Sequence, residues 1–217
     1  MAYCRILQWP HSFLRQISSP IIEFDSTLDD LITDLYDTLN VARGAGIAAS
    51  QIGIAKRVCM LKCSDFGIIN SDPYEKNSDI LILINPVLEV SGDDVLWSEA
   101  CLSLGGVSAV VHRKSSVKLQ YYTRKGEKRE LVASWPFSGA LQHECDHLDG
   151  ILFIDRIGKR AAVNLKKQLR RKLKAEYAPL LKNPKIKKEK KLIDTRLTHG
   201  PGKRKKCKRK NGKRKKT

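Results

Sequence analysis

The ten residues LQHECDHLDG at positions 141–150 constrain this chain more than any other segment. Side chains four apart lie on one face of a helix, so His143 and His147 can point two imidazoles at one ion while Glu144 lies alongside. A structural zinc site closes with four protein ligands, whereas a catalytic site keeps three and leaves one position for water. The segment therefore predicts a helix that carries two metal ligands, and a third ligand must come from elsewhere in the chain.

Cys101, in the segment WSEACLSLGG at 97–106, is the third ligand that we predict. A thiolate and two imidazoles form a soft, mixed donor set that suits zinc or ferrous iron, and a metal keeps the thiol ionised by lowering its pKa. The glycines that follow permit a tight turn with backbone N–H groups near the ion. Plainer alternatives are a solvated polar face for the histidine helix and a buried, inert side chain for Cys101.

Three segments, in this order and with this spacing, resemble the signature motifs of the peptide deformylases: GAGIAASQIG at 44–53, EACLS at 99–103 and QHECDH at 142–147. The resemblance extends to ILQWPHSFLRQIS near the start, INP at 84–86 and LDGILFIDRI at 148–157, so it covers about residues 4–157. Three ordered motifs are far more specific than the histidine pair alone, which recurs in unrelated metalloproteases.

The resemblance implies a metallohydrolase that removes the formyl group from the N-terminal formyl-methionine of newly made polypeptides. One divalent ion per chain is then held by Cys101, His143 and His147. We expect this ion to be Fe²⁺, with Zn²⁺, Ni²⁺ or Co²⁺ able to substitute. Asp146 is predicted to accept a hydrogen bond from one of the two histidines and so to orient it.

Roles for further residues follow from the same resemblance. Glu144 would be the general acid/base, taking a proton from the attacking water and delivering it to the leaving amine. The side chain of Gln51 and the backbone N–H of Leu102 would stabilise the oxyanion, although Gln51 could instead satisfy backbone groups in a turn. Glu99 and Arg113 match a carboxylate and an arginine of the family. In that resemblance the two form a structural pair that supports the cysteine loop, residues 101–106.

The substrate-binding positions that we predict are small residues, Gly44, Ala45, Gly46, Gly105, Gly139 and Ala140, with Gly46 permitting close approach to the reacting group. The chain departs from the family pattern at four positions. The family usually has a large aliphatic residue at Ala45, glycine at Ala100 and proline at Gly105, and many members have arginine at Ser108. Because these changes spare the ligands and Glu144, they predict a roomier or shallower methionine pocket rather than a different reaction.

Hydrophobic periodicity predicts a chain of both helices and strands. With the resemblance, this implies an α+β fold with antiparallel β-sheets around a central helix that carries the HExxH motif. The predicted strands are 58–63, 79–86, 115–122 and 127–134, and residues 124–126 form a hairpin turn. The predicted helices are 26–41, capped by Ser26 or Thr27; one from 135 to about 150; and an amphipathic one at 158–177. Pro179 is expected to end regular structure. The predicted units are a catalytic domain (1–157), a C-terminal helix (158–178) and a disordered basic tail (179–217).

The net charge of +18 is concentrated at the C-terminus, where 18 lysines and arginines and two acids follow residue 181. Such a segment attracts polyanions without regard to sequence, and the attraction weakens with salt. Family members with a C-terminal helix are thought to dock on the ribosome through it, so rRNA is one expected partner of the helix and the basic tail. The alternative is a tail that only keeps the protein soluble, and the tail contains no aromatic residue for base stacking.

The six cysteines have no paired spacing of the secreted kind, and the N-terminus does not resemble a signal peptide. No apolar run approaches the roughly 20 residues that span a membrane. We therefore expect a cytoplasmic protein with no membrane partner, and a monomer. Cys59, Cys63 and Cys145 are expected to be core residues rather than ligands.

Two other functions remain possible from the sequence. A zinc peptidase would need a downstream ligand, for which the chain offers Glu176, Glu189 and His199, and the upstream Cys101 argues against it. A basic RNA-associated protein on an inactivated deformylase scaffold is consistent with Ala100 and Ser108. The intact ligands and Glu144 argue against that alternative.

Overall fold

A computed structural model describes residues 3–68 and 79–181. Within these residues the helices are α1 (Ser26–Ala42), α2 (Phe137–Leu148) and α3 (Lys159–Leu181). The strands are β1 (Gly46–Ala48), β2 (Val58–Lys62), β3 (Ile80–Ala100), β4 (Ser108–Tyr122) and β5 (Lys128–Ser134). They form one sheet in the order β1-β2-β3-β4-β5, and each strand is antiparallel to its neighbours. The predicted α+β class with antiparallel pairing is confirmed.

The first half of β3 is buried on both faces of the sheet, which explains its uninterrupted apolar run. Ile80, Ile82 and Ile84 pack in one core cluster with leucines of α1. Leu81 and Leu83, pointing to the opposite face, pack in another with Leu141 and Leu148 of α2. The sheet therefore lies between α1 and α2, and α2 is the inner helix on the face that carries the candidate site.

Helix α1 begins where it was predicted, but its cap is a different residue. The Asp25 side chain accepts hydrogen bonds from the backbone N–H groups of Thr27 and Leu28, so Asp25 rather than Ser26 or Thr27 is the N-cap. An aspartate one residue further upstream reaches the same free N–H groups. The helix ends at Ala42, and the C-cap residue Arg43 adopts a left-handed conformation (φ 53°).

Strands β3 and β4 are longer than predicted, because they continue as a paired ribbon beyond the two-sided core. Residues Val87–Ala100 of β3 pair with β4 as far as Ser108. This part of β3 contains acids and a glycine, which lower the strand propensity read from the sequence. Gly92, at φ 77°, lies where the register shifts between Ser91 and Asp94. The continuation matters because it leads directly to Cys101.

Helix α3 packs beside the segment that follows Cys101. Leu165 and Leu169 are buried in a cluster with Leu104 and Val107. The helix continues to Leu181, so the prediction that Pro179 ends regular structure is wrong by two residues. The φ of proline, near −65°, is itself compatible with a helix, and the helix continues past Pro179 by less than one turn. The rest of the basic tail, from residue 182, lies outside the described residues.

No helix in the described ranges combines the length and the apolar character that a membrane crossing requires.

Candidate metal centre and active site

The three predicted metal ligands meet at one point between α2 and the end of β3. The ligand atoms of Cys101, His143 and His147 all lie within 4.8 Å of one another. Cys101 Sγ is 3.2 Å from Nε2 of His147. Cys101 directly precedes a 3-10 turn, Leu102–Leu104, and the backbone N–H of Ser103 donates to its sulfur. The one-turn spacing of the histidines on α2 brings both imidazoles to the cysteine.

Glu99 fixes the orientation of the first histidine. Nδ1 of His143 donates to Oε2 of Glu99 at 2.6 Å, so Nε2 is the imidazole nitrogen that faces Cys101. Arg113 holds the same carboxylate with two hydrogen bonds, from Nε at 2.5 Å and from Nη2 at 3.0 Å. Burial alone would raise the pKa of Glu99, but the hydrogen bonds from His143 and Arg113 outweigh it and lower this pKa to about 2.

Asp146 does not bind a histidine, so the prediction for this residue is wrong. Its oxygens accept hydrogen bonds from Arg113, at 2.7 Å, and from Arg156. Two arginines therefore occupy the carboxylate, and Glu99 from β3 takes the orienting position that we assigned to Asp146. Arg113 connects the two acids, so the cysteine strand and α2 are joined through a buried ion-pair network.

The residues present fit a divalent metal ion. Burial and the nearby His143 both lower the pKa of His147, which keeps its imidazole neutral, the form that binds metals. A buried thiol and two imidazoles form the mixed sulfur and nitrogen set typical of zinc and other borderline-soft ions. With three such ligands, a fourth coordination position would remain open.

Glu144 points into the same space with an unsatisfied oxygen. Its Oε2 is buried and has no hydrogen-bond partner among the side chains of residues 3–68 and 79–175 or the described backbone. Burial raises the pKa of Glu144 to about 7. A Cβ atom at Gly46 would lie 2.5 Å from Oε1 of Glu144, so only glycine leaves room for this carboxylate. A buried carboxyl with this pKa is suited to exchanging protons near neutral pH.

The Gln51 side chain is held with its amino end towards the centre. Its Oε1 accepts from the backbone N–H of Ala48 at 2.9 Å. Its Nε2 donates to Oγ of Ser103 at 3.1 Å and lies 3.5 Å from Cys101 Sγ. Gln51 thus satisfies a backbone group in a turn, as the alternative interpretation predicted, and its amino group also donates towards the ligand cluster.

A cavity of about 480 Å³ opens over these residues. Four of the six predicted substrate positions line it: Gly44, Ala45, Gly46 and Ala140. Gly105 and Gly139 are not among its lining residues. Sequence reasoning missed Leu61, Phe66, Trp97, Ser98 and Gly106, which also line the cavity. Trp97 could have been found from strand alternation, because it lies two and four residues before Glu99 and Cys101.

Trp135 fills the space that Gly139 leaves. A Cβ atom at Gly139 would lie 2.8 Å from Cζ3 of Trp135, so the indole packs directly on the glycine. The indole also packs edge-on against Trp97, with ring centroids 4.7 Å apart. The small residue at 139 therefore seats an aromatic side chain and adds no open volume to the pocket.

The rival peptidase arrangement gains no support from the described residues. Among the side chains described, those of residues 3–68 and 79–175, the candidate metal-binding group comprises Cys101, His143 and His147. The side chain of Glu176 and the residues Glu189 and His199, the three downstream candidates, lie outside this part of the chain. Cys59, Cys63 and Cys145 are buried in the core, as predicted.

Comparisons with known proteins all match one protein family. The sequence model of the family described as polypeptide deformylase matches residues 3–163. A peptide deformylase of Thermodesulfovibrio yellowstonii is 36% identical over 172 residues, which span 79% of this chain and 96% of that protein. A peptide deformylase of Helicobacter pylori is 35% identical over 187 residues, spanning 86% of this chain and 99% of that protein.

Solved structures show the same similarity. A peptide deformylase from Legionella pneumophila has a TM-score of 0.71 and 30% identity, and the match covers 81% of this chain and 98% of that one. One from Synechococcus elongatus in complex with actinonin has a TM-score of 0.64 and 31% identity, covering 74% of this chain and 82% of that one.

Proposed function

Since the chain belongs to the peptide deformylase family of metal-dependent hydrolases, which remove N-formyl groups from nascent peptides, we propose that Glu144 is its general acid/base. The observation that carries this proposal is the buried, unpartnered Oε2 of Glu144 beside Cys101, His143 and His147. These three side chains would hold one divalent ion. When bound, the ion supplies Lewis acidity, which lowers the pKa of water and polarises a carbonyl oxygen.

Glu144 moves the proton in this mechanism. As a carboxylate it accepts a proton from the water whose oxygen bonds to the formyl carbon. It then delivers that proton to the amine nitrogen as the carbon–nitrogen bond breaks, giving formate and a free N-terminus. The burial that raises its pKa to about 7 brings its proton affinity close to neutral pH, as both transfers require.

Gln51 and Leu102 are the proposed oxyanion donors. Hydrogen bonds at both ends of the Gln51 amide set its orientation, and the N–H that lies against the Cys101 sulfur is the one that would turn to the oxyanion. The backbone N–H of Leu102 begins the 3-10 turn directly after Cys101, and Leu102 lines the cavity. One well-placed donor of this kind is typically worth about 3 to 4 kcal/mol in the transition state.

The apolar part of the cavity is proposed to take the methionine side chain. Ala140 lies one turn before His143 and Glu144 on α2, and Leu61, Phe66 and Trp97 line the same cavity. Gly44 and Ala45 precede β1 at the cavity wall, and Gly46 is its first residue. Gly105 and Gly139 would contribute through the conformation of neighbouring segments.

Ferrous iron is the proposed ion, with Zn²⁺, Ni²⁺ and Co²⁺ as possible substitutes, because one thiolate and two imidazoles accept all four. The test of the proposed function is anaerobic release of formate from formyl-Met-Ala-Ser by protein loaded with each ion in turn. Acetyl-Met-Ala-Ser is the matched control, since the added methyl group crowds the attacked carbon. Release of acetate at the rate of formate would contradict a formyl-specific site.

Ribosome docking through α3 and the basic tail is proposed for the same protein. Lys167, Arg171 and Lys174 are exposed on α3, while its apolar face is buried against the cysteine loop. Deletion of residues 182–217, followed by co-sedimentation with ribosomes across a salt series, tests the tail. Binding that weakens in the deletion and falls with salt supports docking, and unchanged binding removes the tail from it.

A further inference from the structure

Residues 7–9 of the N-terminal segment lie between the two proposed oxyanion donors. The backbone N–H of Leu7 donates to the carbonyl of Gln51 at 2.8 Å, and that of Trp9 donates to the carbonyl of Ser103 at 2.8 Å. A short extended segment thus connects the Gln51 turn to the loop that follows Cys101. The residue between these two contacts, Gln8, turns its side chain towards that loop.

The Gln8 carboxamide makes two hydrogen bonds inside the 3-10 turn after Cys101. Its Nε2 donates to the carbonyl of Leu102 at 2.8 Å, and its Oε1 accepts from the backbone N–H of Gly105 at 3.2 Å. A carbonyl only accepts and a backbone N–H only donates, so these partners settle which end of the amide is which. Both ends of the Gln8 carboxamide therefore bond to the turn that follows Cys101.

A regular 3-10 helix pairs the carbonyl of residue i with the N–H of residue i+3. The Leu102 carbonyl and the Gly105 N–H, which Gln8 binds, would form such a pair. The preceding pair is formed, from Leu104 N–H to the Cys101 carbonyl at 3.0 Å. The next pair would join Gly105 to Leu102, and the Gln8 amide lies between them instead. Gly105 and Gly106 then leave the turn with φ values of 56° and 67°, in the left-handed region that favours glycine.

Because the Gln8 amide lies between them, the Leu102 carbonyl and the Gly105 N–H do not pair with each other. Without the amide, the Leu102 carbonyl and the Gly105 N–H are free to pair with each other or with water. Either change rotates the Leu102–Ser103 peptide plane, which carries the Leu102 carbonyl. This plane is joined at the Cα of Leu102 to the Cys101–Leu102 plane, which carries the Leu102 N–H, so the rotation also changes φ and ψ of Leu102. The N–H of Leu102, the proposed oxyanion donor, would lose its fixed direction.

We infer that Gln8 is a positioning residue for deformylation, holding the Leu102 N–H in the direction from which it stabilises the oxyanion. The inference rests on the proposed function, because it assigns that role to Leu102. It involves no contact between Gln8 and the substrate. Gln8 acts on the rate of the chemical step through the cysteine loop.

Three variants test the inference. Gln8→Leu removes both hydrogen bonds, whereas Gln8→Glu keeps an acceptor for Gly105 and places an oxygen against the Leu102 carbonyl. Gln16→Leu is the matched control, since Gln16 is an exposed glutamine in the same N-terminal region. Each full-length protein is loaded with Zn²⁺ and with Fe²⁺. The measurements are metal content, kcat and KM for formyl-Met-Ala-Ser, and the ¹H–¹⁵N resonance of Leu102 in the zinc form.

The expected result is a loss of about tenfold in kcat for both Gln8 variants, less than the 10²- to 10³-fold loss on deleting an oxyanion donor. KM and metal content should stay near the wild-type values, the Leu102 resonance should move, and the control should match wild type. A kcat within twofold of wild type in Gln8→Leu overturns the inference. So does a loss of metal that accounts for the loss of rate, because Gln8 would then act through Cys101. Wild-type protein that releases no formate would instead refute the proposed function, and the inference with it.

Discussion

The Glu99 carboxylate accepts a hydrogen bond from Nδ1 of His143 at 2.6 Å, and this contact sets which nitrogen of the imidazole faces Cys101. A carboxylate behind a ligating histidine fixes its tautomer and strengthens it as a ligand. Because Arg113 holds the same carboxylate from the other side, the position of Glu99 is fixed by two buried partners.

Replacing Glu99 with glutamine should weaken metal binding. Glu99→Gln keeps the size of the side chain but removes the charge that stabilises the His143 N–H, so we expect metal affinity to fall about 10- to 100-fold. Competition against a chelator of known affinity measures the change. Glu130→Gln, at an exposed residue on β5, is the control. Equal affinities in wild type and Glu99→Gln would show that the contact does not support the metal site.

The same carboxylate should make the stability of the metal-free protein depend on pH. The folded pKa of Glu99 is about 2, below its ordinary value of 4.5, so the folded state favours the ionised form. Its contribution to the free energy of unfolding is fully present above about pH 4.5 and is lost as pH falls towards 2. Denaturant unfolding gives the free energy of unfolding of wild type and of Glu99→Gln between pH 6 and pH 3. The difference between these two free energies should become smaller as the pH falls. A difference that widens would contradict the lowered pKa.

A methyl group at Gly46 should displace the carboxylate of Glu144, the proposed general acid/base. The added Cβ would lie 2.5 Å from Oε1 of Glu144, so Gly46→Ala forces Glu144 to move. We expect kcat to fall about 10²-fold or more while the protein retains its metal, because a displaced acid/base forfeits general acid/base catalysis. Gly158→Ala is the control, since nothing lies within 4 Å of a Cβ atom there. A Gly46→Ala variant with wild-type kcat would refute the close packing.

The pocket should become roomier when Trp135 is removed. Its indole covers Gly139 and packs against Trp97, which lines the cavity. In Trp135→Ala we expect kcat/KM for formyl-Phe-Ala-Ser to rise relative to formyl-Met-Ala-Ser, by several-fold. An unchanged ratio would mean that the indole does not limit the pocket. For the wild type, a steep preference for methionine over smaller first residues would count against the roomier pocket predicted from the departures at Ala45, Ala100, Gly105 and Ser108.

The features that were predicted correctly depend on residues close together in the sequence. The His143 and His147 pair depends on helical periodicity, and the helices and the two-sided core strands depend on apolar spacing. The length of β3 could not be predicted, because pairing with β4 rather than intrinsic propensity holds its polar half in a strand.

Contacts between distant segments were harder to predict. The sequence placed Glu99 beside Arg113, but it could not show that Glu99 rather than Asp146 reaches a histidine, since this depends on how β3 crosses α2. Gln8 lies in a segment that carries the family resemblance, but no role could be predicted for it from the sequence. Its role depends on a turn more than ninety residues away, and only the fold brings the two together.

Formate release by Glu144→Ala, compared with wild type, tests the proposed mechanism most directly. Both proteins are loaded anaerobically with Fe²⁺, checked for folding and metal content, and given formyl-Met-Ala-Ser. We predict that the variant keeps its metal and that its kcat falls by about 10²- to 10⁴-fold, the usual contribution of a general acid/base. A fully loaded variant that releases formate at the wild-type rate would show that Glu144 does not transfer the proton.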